Sequence, residues 1–148
     1  MIQVTSPAFK DGEIIPVQYT ADGKNVSPPL QIGGVPPEAK SLVLINDDPD
    51  APAGTWDHWI LWNIDPKTTI IPEDSVPEKA VAGKNDFGQT KYGGPAPPSG
   101  THRYFFRIFA LDIVLDLPAG SGREALEKAM KGHVIGEGQL MGRYTRKR

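Results

Sequence analysis

The sequence predicts a mainly β fold, an antiparallel β-sandwich with one late helix packed at its edge. Short apolar runs dominate the chain, tight-turn residues separate them, and no strand–helix–strand rhythm connects them. The 15 prolines and 16 glycines among 148 residues punctuate the apolar runs and form no repeat. Residues 1–148 are therefore expected to form a single domain, long enough to bury a substantial core.

Each element follows from its own local pattern. The expected strands are 2–4, 14–19, 30–32, 41–46, 57–64, 103–111 and, with weaker alternation, 134–144. The segment 41–46 is apolar almost throughout, which is typical of a central strand covered on both faces. Helical periodicity is confined to 121–131, where Ser121 and Glu124 form a capping-box pattern. Residues 65–100 have little periodicity and predict a long loop, a kind of segment that is often functional.

Charge and composition exclude several classes of protein. Lys and Arg number 16 and Asp and Glu number 18, a formal net charge of -2, so no nucleic-acid partner is expected. Without cysteine there is no disulfide framework, zinc–thiolate site or thiol nucleophile. The N-terminus lacks a secretory-signal pattern, and no apolar run approaches ~18 residues. We therefore expect a cytoplasmic protein without a transmembrane segment.

Two similar stretches carry the candidate chemistry. The first, residues 47–64, reads DDPDAPAGTWDHWILWNI, and the second, residues 93–111, reads GGPAPPSGTHRYFFRIFAL. Each joins a rigid turn to a histidine that opens an apolar strand. Alternation with a period of two predicts two inward faces: His58, Ile60, Trp62 and Ile64, and His102, Tyr104, Phe106, Ile108 and Ala110. Both imidazoles would then lie at the open end of one core, forming a polar pocket.

The turns supply the remaining parts of this pocket. Proline restrains the acidic turn, and the glycine–proline segment lets a ligand approach the backbone, with Pro97 and Pro98 as a wall. Arg103 points away from His102 on a regular strand, so we expect it to pair with an acid and support the turn. One of the X-Pro bonds in these stretches is expected to be cis.

The DPDAP sequence with its following histidine, together with GGPAPPSGTHRYFFRIFAL, resembles the signatures of the phosphatidylethanolamine-binding proteins, also called Raf kinase inhibitor-like proteins. The resemblance covers nearly the whole chain, and the short length is similar to the bacterial and archaeal branch. It implies an antiparallel β-sandwich with a small pocket for phosphate or a phosphorylated head group. The residues that it implies for this pocket are Asp48, Asp50, Pro52, His58, Pro97, His102 and Tyr104. Asp57 departs from animal members, which carry a second histidine there, and predicts a more acidic mouth.

The leading hypothesis is an anion-binding protein without catalytic residues, metal or cofactor. Its ligand would be a phosphate-containing small molecule or phospholipid head group. Imidazolium and backbone amides would hold the phosphate, while Asp48 or Asp50 orients an imidazole or meets a ligand ammonium. The alternative is a hydrolase in the same pocket, using a metal held by two histidines and one aspartate, or an Asp–His pair that activates water or Ser99. The resemblance also implies kinase or serine-protease partners, and a homodimer stays open.

Overall fold

A computed structural model describes residues 1–146 and confirms the predicted β-sandwich. The elements in chain order are β1 (Gln3–Thr5), a 3₁₀ turn (Val17–Tyr19), β2 (Leu30–Gly33), β3 (Ser41–Asp48), β4 (Trp56–Ile64), β5 (Ile70–Ile71), β6 (Val81–Ala82), β7 (Thr101–Leu111), α1 (Arg123–Met130) and β8 (Val134–Thr145). A three-stranded sheet has the order β1-β2-β5, and a five-stranded sheet has the order β6-β4-β3-β7-β8. Neighbouring strands in both sheets are antiparallel.

The main core lies between the two sheets. Val4 and Ile32 of the small sheet and Leu44, Phe106 and Ile108 of the large sheet belong to one buried cluster. All residues of β3 are buried, which confirms the prediction of a central strand covered on both faces. Burying such aliphatic and aromatic side chains stabilises the fold by about 1.5–3 kcal/mol each.

The helix α1 covers the other face of the five-stranded sheet. Leu126 and Met130, four residues apart and therefore on one helical face, pack against Val43, Ile45 and Trp62. Within residues 1–146, no helix is long and apolar enough to cross a membrane.

A β-bulge interrupts β4 at its histidine. Asn46 of β3 pairs with Trp59, whereas the next residue, Asp47, pairs with Asp57. His58 is therefore an extra residue without a partner in β3. Bulges of this kind redirect a side chain and are frequent beside functional sites.

Two register shifts overturn the predicted face of β4. His58, Ile60, Trp62 and Ile64 do not share one face, because β4 has one extra residue at His58 and another between its pairs Leu44–Leu61 and Leu42–Ile64. Ile60 and Trp62 pack in the cluster beneath α1, whereas Ile64 lies in the core between the sheets. The regular strand β7 keeps its predicted alternation, with these residues in the intersheet core: Tyr104, Phe106, Ile108 and Ala110.

Four local predictions were wrong. Residues 14–19 do not form a strand, because the chain makes only one bridge, from Ile14 to Arg143, before the 3₁₀ turn. Gly122 is the N-cap of α1, since the Ser121 hydroxyl donates to the carbonyl of Pro118 and does not cap the helix. Residues 65–100 contain the short strands β5 and β6. No cis peptide bond occurs in the described chain.

Candidate functional site

A cavity of about 300 Å³ opens between the acidic turn, the start of β7 and the glycine–proline segment. Its lining residues are Asp48, Ala51, Pro52, Trp56, His58, Phe87, Ala96, Pro97, Pro98, His102 and Tyr104. The structure thus brings together seven of the eight predicted site residues, all except Asp50. Ligand binding by these residues stays a prediction.

The first polar unit of the cavity is the pair formed by His102 and Asp48. The ring Nδ1 of His102 lies 2.6 Å from Oδ2 of Asp48, and both side chains are buried. Since the carboxylate accepts, Nδ1 carries the hydrogen, and Nε2 remains for a ligand. The other oxygen of Asp48 accepts a hydrogen bond of 2.8 Å from the amide of Asp50, which fixes the carboxylate within the turn.

The second unit is the bulged residue His58. Its Nδ1 lies 2.6 Å from the carbonyl oxygen of Gly93, which can only accept, so Nδ1 again carries the hydrogen. The backbone of His58 is held as well, since its carbonyl accepts from the Gly93 amide at 3.0 Å. Burial lowers the pKa of His58, although the Gly93 carbonyl and the charge of Asp48 oppose that shift. At neutral pH this ring is neutral, and its Nε2 is a hydrogen-bond acceptor.

Tyr104 lies between the two imidazoles. Its ring is edge-on to His58, with centroids 5.3 Å apart, and stacked with His102 at 6.4 Å. Burial, together with the nearby charge of Asp48, raises the pKa of Tyr104, so the phenol stays protonated. Within residues 1–146, neither this buried hydroxyl nor Nε1 of Trp56, another residue lining the cavity, has a hydrogen-bond partner. The Asp48 carboxylate lies near the Tyr104 hydroxyl, whereas Nε1 of Trp56 is a donor without a partner, which is unusual for a buried polar group.

Asp50 braces the acidic turn from outside the cavity. Its carboxylate accepts two side-chain hydrogen bonds of 2.9 Å from Arg103, and a third of 2.9 Å from the Arg103 amide. The hydrogen bonds from Arg103 lower the pKa of Asp50 to about 2. This confirms the expectation that Arg103 pairs with an acid and supports the turn, whereas Asp50 was expected to line the pocket.

The glycine–proline segment forms part of the cavity wall, but the amides of its first two residues are hydrogen-bonded within the protein. The amide of Gly93 donates to the carbonyl of His58, and the amide of Gly94 donates to Oδ1 of Asn25 at 2.7 Å. These groups are not available to a phosphate, contrary to the expected role of the glycine amides. The cavity therefore lacks two of the amide donors expected from this segment.

Sequence reasoning missed three polar or aromatic residues around the cavity. Asn85 is buried, and its amide nitrogen donates to the carbonyls of His58 and Lys91, while its oxygen accepts from the amides of Phe87 and Gln89. It thereby folds the loop that places Phe87 edge-on against His58, at a centroid distance of 5.3 Å. Trp56 also contacts Phe87. The turn-like sequence NDFG was the only local signal for this loop.

Together these features define a class of protein: a β-sandwich with a small preformed cavity, lined by histidine, aspartate and tyrosine, at one end of its larger sheet. The family follows from comparison with known proteins. A family model described as phosphatidylethanolamine-binding protein matches residues 5–145, and the chain belongs to that family, as the sequence resemblance predicted.

Relatives and solved structures agree with this assignment. A UPF0098 protein of Methanothermobacter thermautotrophicus is 54% identical over 144 residues, which covers 94% of this chain and 95% of the relative. The crystal structure of a putative phosphatidylethanolamine-binding protein homolog from Chlamydia trachomatis has a TM-score of 0.95 and 44% identity, covering 99% of this chain and 98% of that one. The crystal structure of Escherichia coli YbcL, described as a member of the mammalian family, has a TM-score of 0.92 and 32% identity, covering 99% of each chain.

Proposed function

We propose that the cavity binds a small phosphomonoester, such as a phosphorylated head group, in its monoprotonated form. The observation that carries this proposal is the shared arrangement of the two histidines. In both rings Nδ1 is engaged by a protein acceptor, the Gly93 carbonyl for His58 and the Asp48 carboxylate for His102. Each ring therefore has only Nε2 left for a ligand.

The available donors and acceptors match a phosphate group that carries one hydrogen. Nε2 of neutral His58 accepts from the ligand P–OH group, while the phenol of Tyr104 donates to a phosphate oxygen. His102 binds as an imidazolium, because the Asp48 carboxylate at its Nδ1 compensates the charge. Among residues 1–146, no lysine or arginine lines the cavity. A fully ionised phosphate would therefore meet one carboxylate and too few positive charges.

The size and walls of the cavity favour a ligand larger than inorganic phosphate. Its volume of about 300 Å³ equals roughly ten water molecules at their share of liquid volume. Pro52, Phe87 and Pro97 present apolar surfaces around the polar groups. Such a combination, with apolar walls and a few fixed polar groups, is typical of small-molecule sites.

Calorimetric titration with phosphoethanolamine, inorganic phosphate and ethanolamine tests the proposal. We expect phosphoethanolamine to bind best and ethanolamine not to bind. His102→Ala should weaken binding at least about tenfold, since a hydrogen bond to a charged group contributes roughly 1.5–3 kcal/mol. His133→Ala is the matched control, because His133 is half exposed, pairs with Asp112 and lies outside the cavity lining. Equal affinity in wild type and His102→Ala would reject the site.

A hydrolase remains the second candidate, because the buried Asp48–His102 pair resembles the pairs that activate water as a general base. In residues 1–146, no group of three or more His, Cys, Asp or Glu side chains is placed to hold a metal ion. Turnover of phosphomonoesters by wild type, and its loss in His102→Ala, would favour this candidate over binding alone. A kinase, a serine protease or a second copy of this chain as partner is a further prediction, testable by inhibition assays and by sedimentation.

A further inference from the structure

Two buried aspartates lie on the face of the sheet opposite the cavity. Asp47 of β3 and Asp57 of β4 are directly paired across the strands and are 1% and 8% exposed. Each immediately precedes a residue that lines the cavity, Asp48 and His58 respectively. Like charges opposite each other on neighbouring strands destabilise the pairing, and burial strengthens their repulsion. This end of the sheet therefore requires a cation to hold the two strands together.

Arg123, the first residue of α1, supplies that cation. Its Nη1 lies 2.6 Å from Oδ2 of Asp47 and 2.8 Å from Oδ1 of Asp57, so one nitrogen bridges both strands. Arg107 also contacts Asp47, at 3.1 Å, but it makes no ion pair with Asp57. Among the described residues, Arg123 is the only ion-pair partner of Asp57. Burial raises the pKa of Asp57, and the hydrogen bond from Arg123 opposes this shift.

The Arg123 bridge lies at the bulge that directs His58 into the cavity. Two residue pairs of β3 and β4 flank the bulge, Asp47–Asp57 on one side and Asn46–Trp59 on the other. A change in separation of the two aspartates therefore changes the conformation of the bulge. It also moves Asp48, whose carboxylate holds His102. Both imidazoles of the cavity consequently depend on a contact made from the opposite face.

We propose that Arg123 is a positioning residue for the cavity: it fixes Asp48 and His58 from behind the sheet and so couples the position of α1 to ligand affinity. This inference rests on the proposed function for its binding readout. It assigns no ligand contact to Arg123, which does not line the cavity. Its effect passes through the backbone of β3 and β4.

The test combines a neutral substitution with a rescue. Arg123→Met keeps the aliphatic part of the side chain but leaves Asp57 without a cation. We expect phosphoethanolamine affinity to fall roughly fivefold, at the lower end of couplings between distant groups. Asp57→Asn in the same chain removes the repulsion and should restore most of the lost affinity. Lys128→Met is the control, because it removes the same charge from an exposed position of the same helix.

Different outcomes separate the positioning role from other effects. Equal losses in Arg123→Met and Lys128→Met would show only a long-range charge effect and overturn the proposal. A loss that Asp57→Asn does not rescue would indicate a general role in anchoring α1 and would also overturn it.

Imidazole NMR resonances give a readout without ligand. If wild type binds no phosphomonoester, the proposed function fails, and the positioning role is then judged on the ring signals of His58 and His102. These should shift in Arg123→Met and return in the double variant with Asp57→Asn. Unchanged ring signals in Arg123→Met would reject the positioning role independently of any ligand.

Discussion

The imidazole Nδ1 of His58 lies 2.6 Å from the carbonyl oxygen of Gly93, and the amide of Gly93 donates back to the carbonyl of His58 at 3.0 Å. The histidine and the glycine segment are therefore joined by two hydrogen bonds across the cavity wall. Because His58 is a bulged residue without a partner in β3, this contact replaces the missing strand pairing. A shift of the wall at Gly93 should therefore also change the orientation of the His58 ring.

Gly94→Ala should displace the cavity wall and, with it, the His58 ring. A Cβ at this position would lie 2.4 Å from the carbonyl oxygen of Tyr19 and 2.6 Å from Oδ1 of Asn25, so the segment has to move. We expect a destabilisation of about 1–3 kcal/mol in urea unfolding, typical of overpacking, and a weaker affinity for phosphoethanolamine. Gly33→Ala is the control, because its Cβ would meet only the end of the Gln3 side chain, at 3.6 Å. Similar stability of the two variants would contradict this account.

Asp48 and Asp50, the two aspartates of the DPD sequence, should differ in their effects on ligand affinity. Asp48→Asn replaces the carboxylate that accepts from Nδ1 of His102, so it destabilises the required tautomer and imidazolium. We expect affinity for phosphoethanolamine to fall about tenfold or more by calorimetry. Asp50→Asn should change affinity much less, because Asp50 is bound to Arg103 outside the cavity. A larger loss in Asp50→Asn than in Asp48→Asn would invalidate this division of roles.

Asp50 should instead contribute to stability in acid. Arg103 lowers the pKa of Asp50 from 3.8 to about 2, so the folded state binds this proton more weakly than the unfolded state. The contribution is fully present above pH 3.8 and is lost as pH falls towards about 2. Asp50→Asn should therefore unfold with a shallower pH dependence in that interval, measured by urea titrations at several pH values. The effect is modest, because the side chain of Arg103 is 49% exposed. A steeper dependence in the variant would refute the argument.

The regular parts of the fold were predictable from the sequence, and the irregular parts were not. Strand β7 alternates over its whole length, so the placement of His102 and Tyr104 on one face followed from periodicity. In β4 the run WILW is apolar on both faces, because one face packs on the small sheet and the other beneath α1. Such a strand carries no alternation, so the bulge at His58 left no signal in the sequence.

The contacts that complete the cavity depend on residues far apart in the chain. The side chain of Asn85 anchors its loop by donating to the carbonyl of His58, which lies 27 positions earlier. No local sequence pattern encodes that hydrogen bond. Similarly, the hydrogen bond from the Gly94 amide to Asn25 forms only because two segments 69 positions apart pack together. The residue types and their rigid turns were therefore visible beforehand, whereas their hydrogen-bond partners required the structure.

The proton balance of the cavity gives the last prediction. The free phosphomonoester loses its second proton near pH ~6, and burial lowers the pKa of His58. Above that pH, neither the ligand nor Nε2 of His58 carries the hydrogen that lies between them in the complex. Binding then requires the uptake of a proton at this contact, so phosphoethanolamine affinity should fall as pH rises, by up to about tenfold per unit for each proton taken up. Calorimetry between pH 5.5 and 8.5 measures this slope.

The sulfate ester of ethanolamine provides the matched ligand, because its sulfate group carries no hydrogen in this range and has the same tetrahedral shape. It should bind more weakly than phosphoethanolamine at pH 6, since Nε2 of neutral His58 would face an oxygen with no hydrogen between them. In His58→Ala, the phosphoethanolamine affinity should be lower at pH 6 and its pH slope flatter, while His133→Ala should behave as wild type. Phosphoethanolamine binding that is independent of pH, or that is equal to binding of the sulfate ester at pH 6, would exclude the shared hydrogen. The cavity would then have to bind the dianion through His102 and Tyr104.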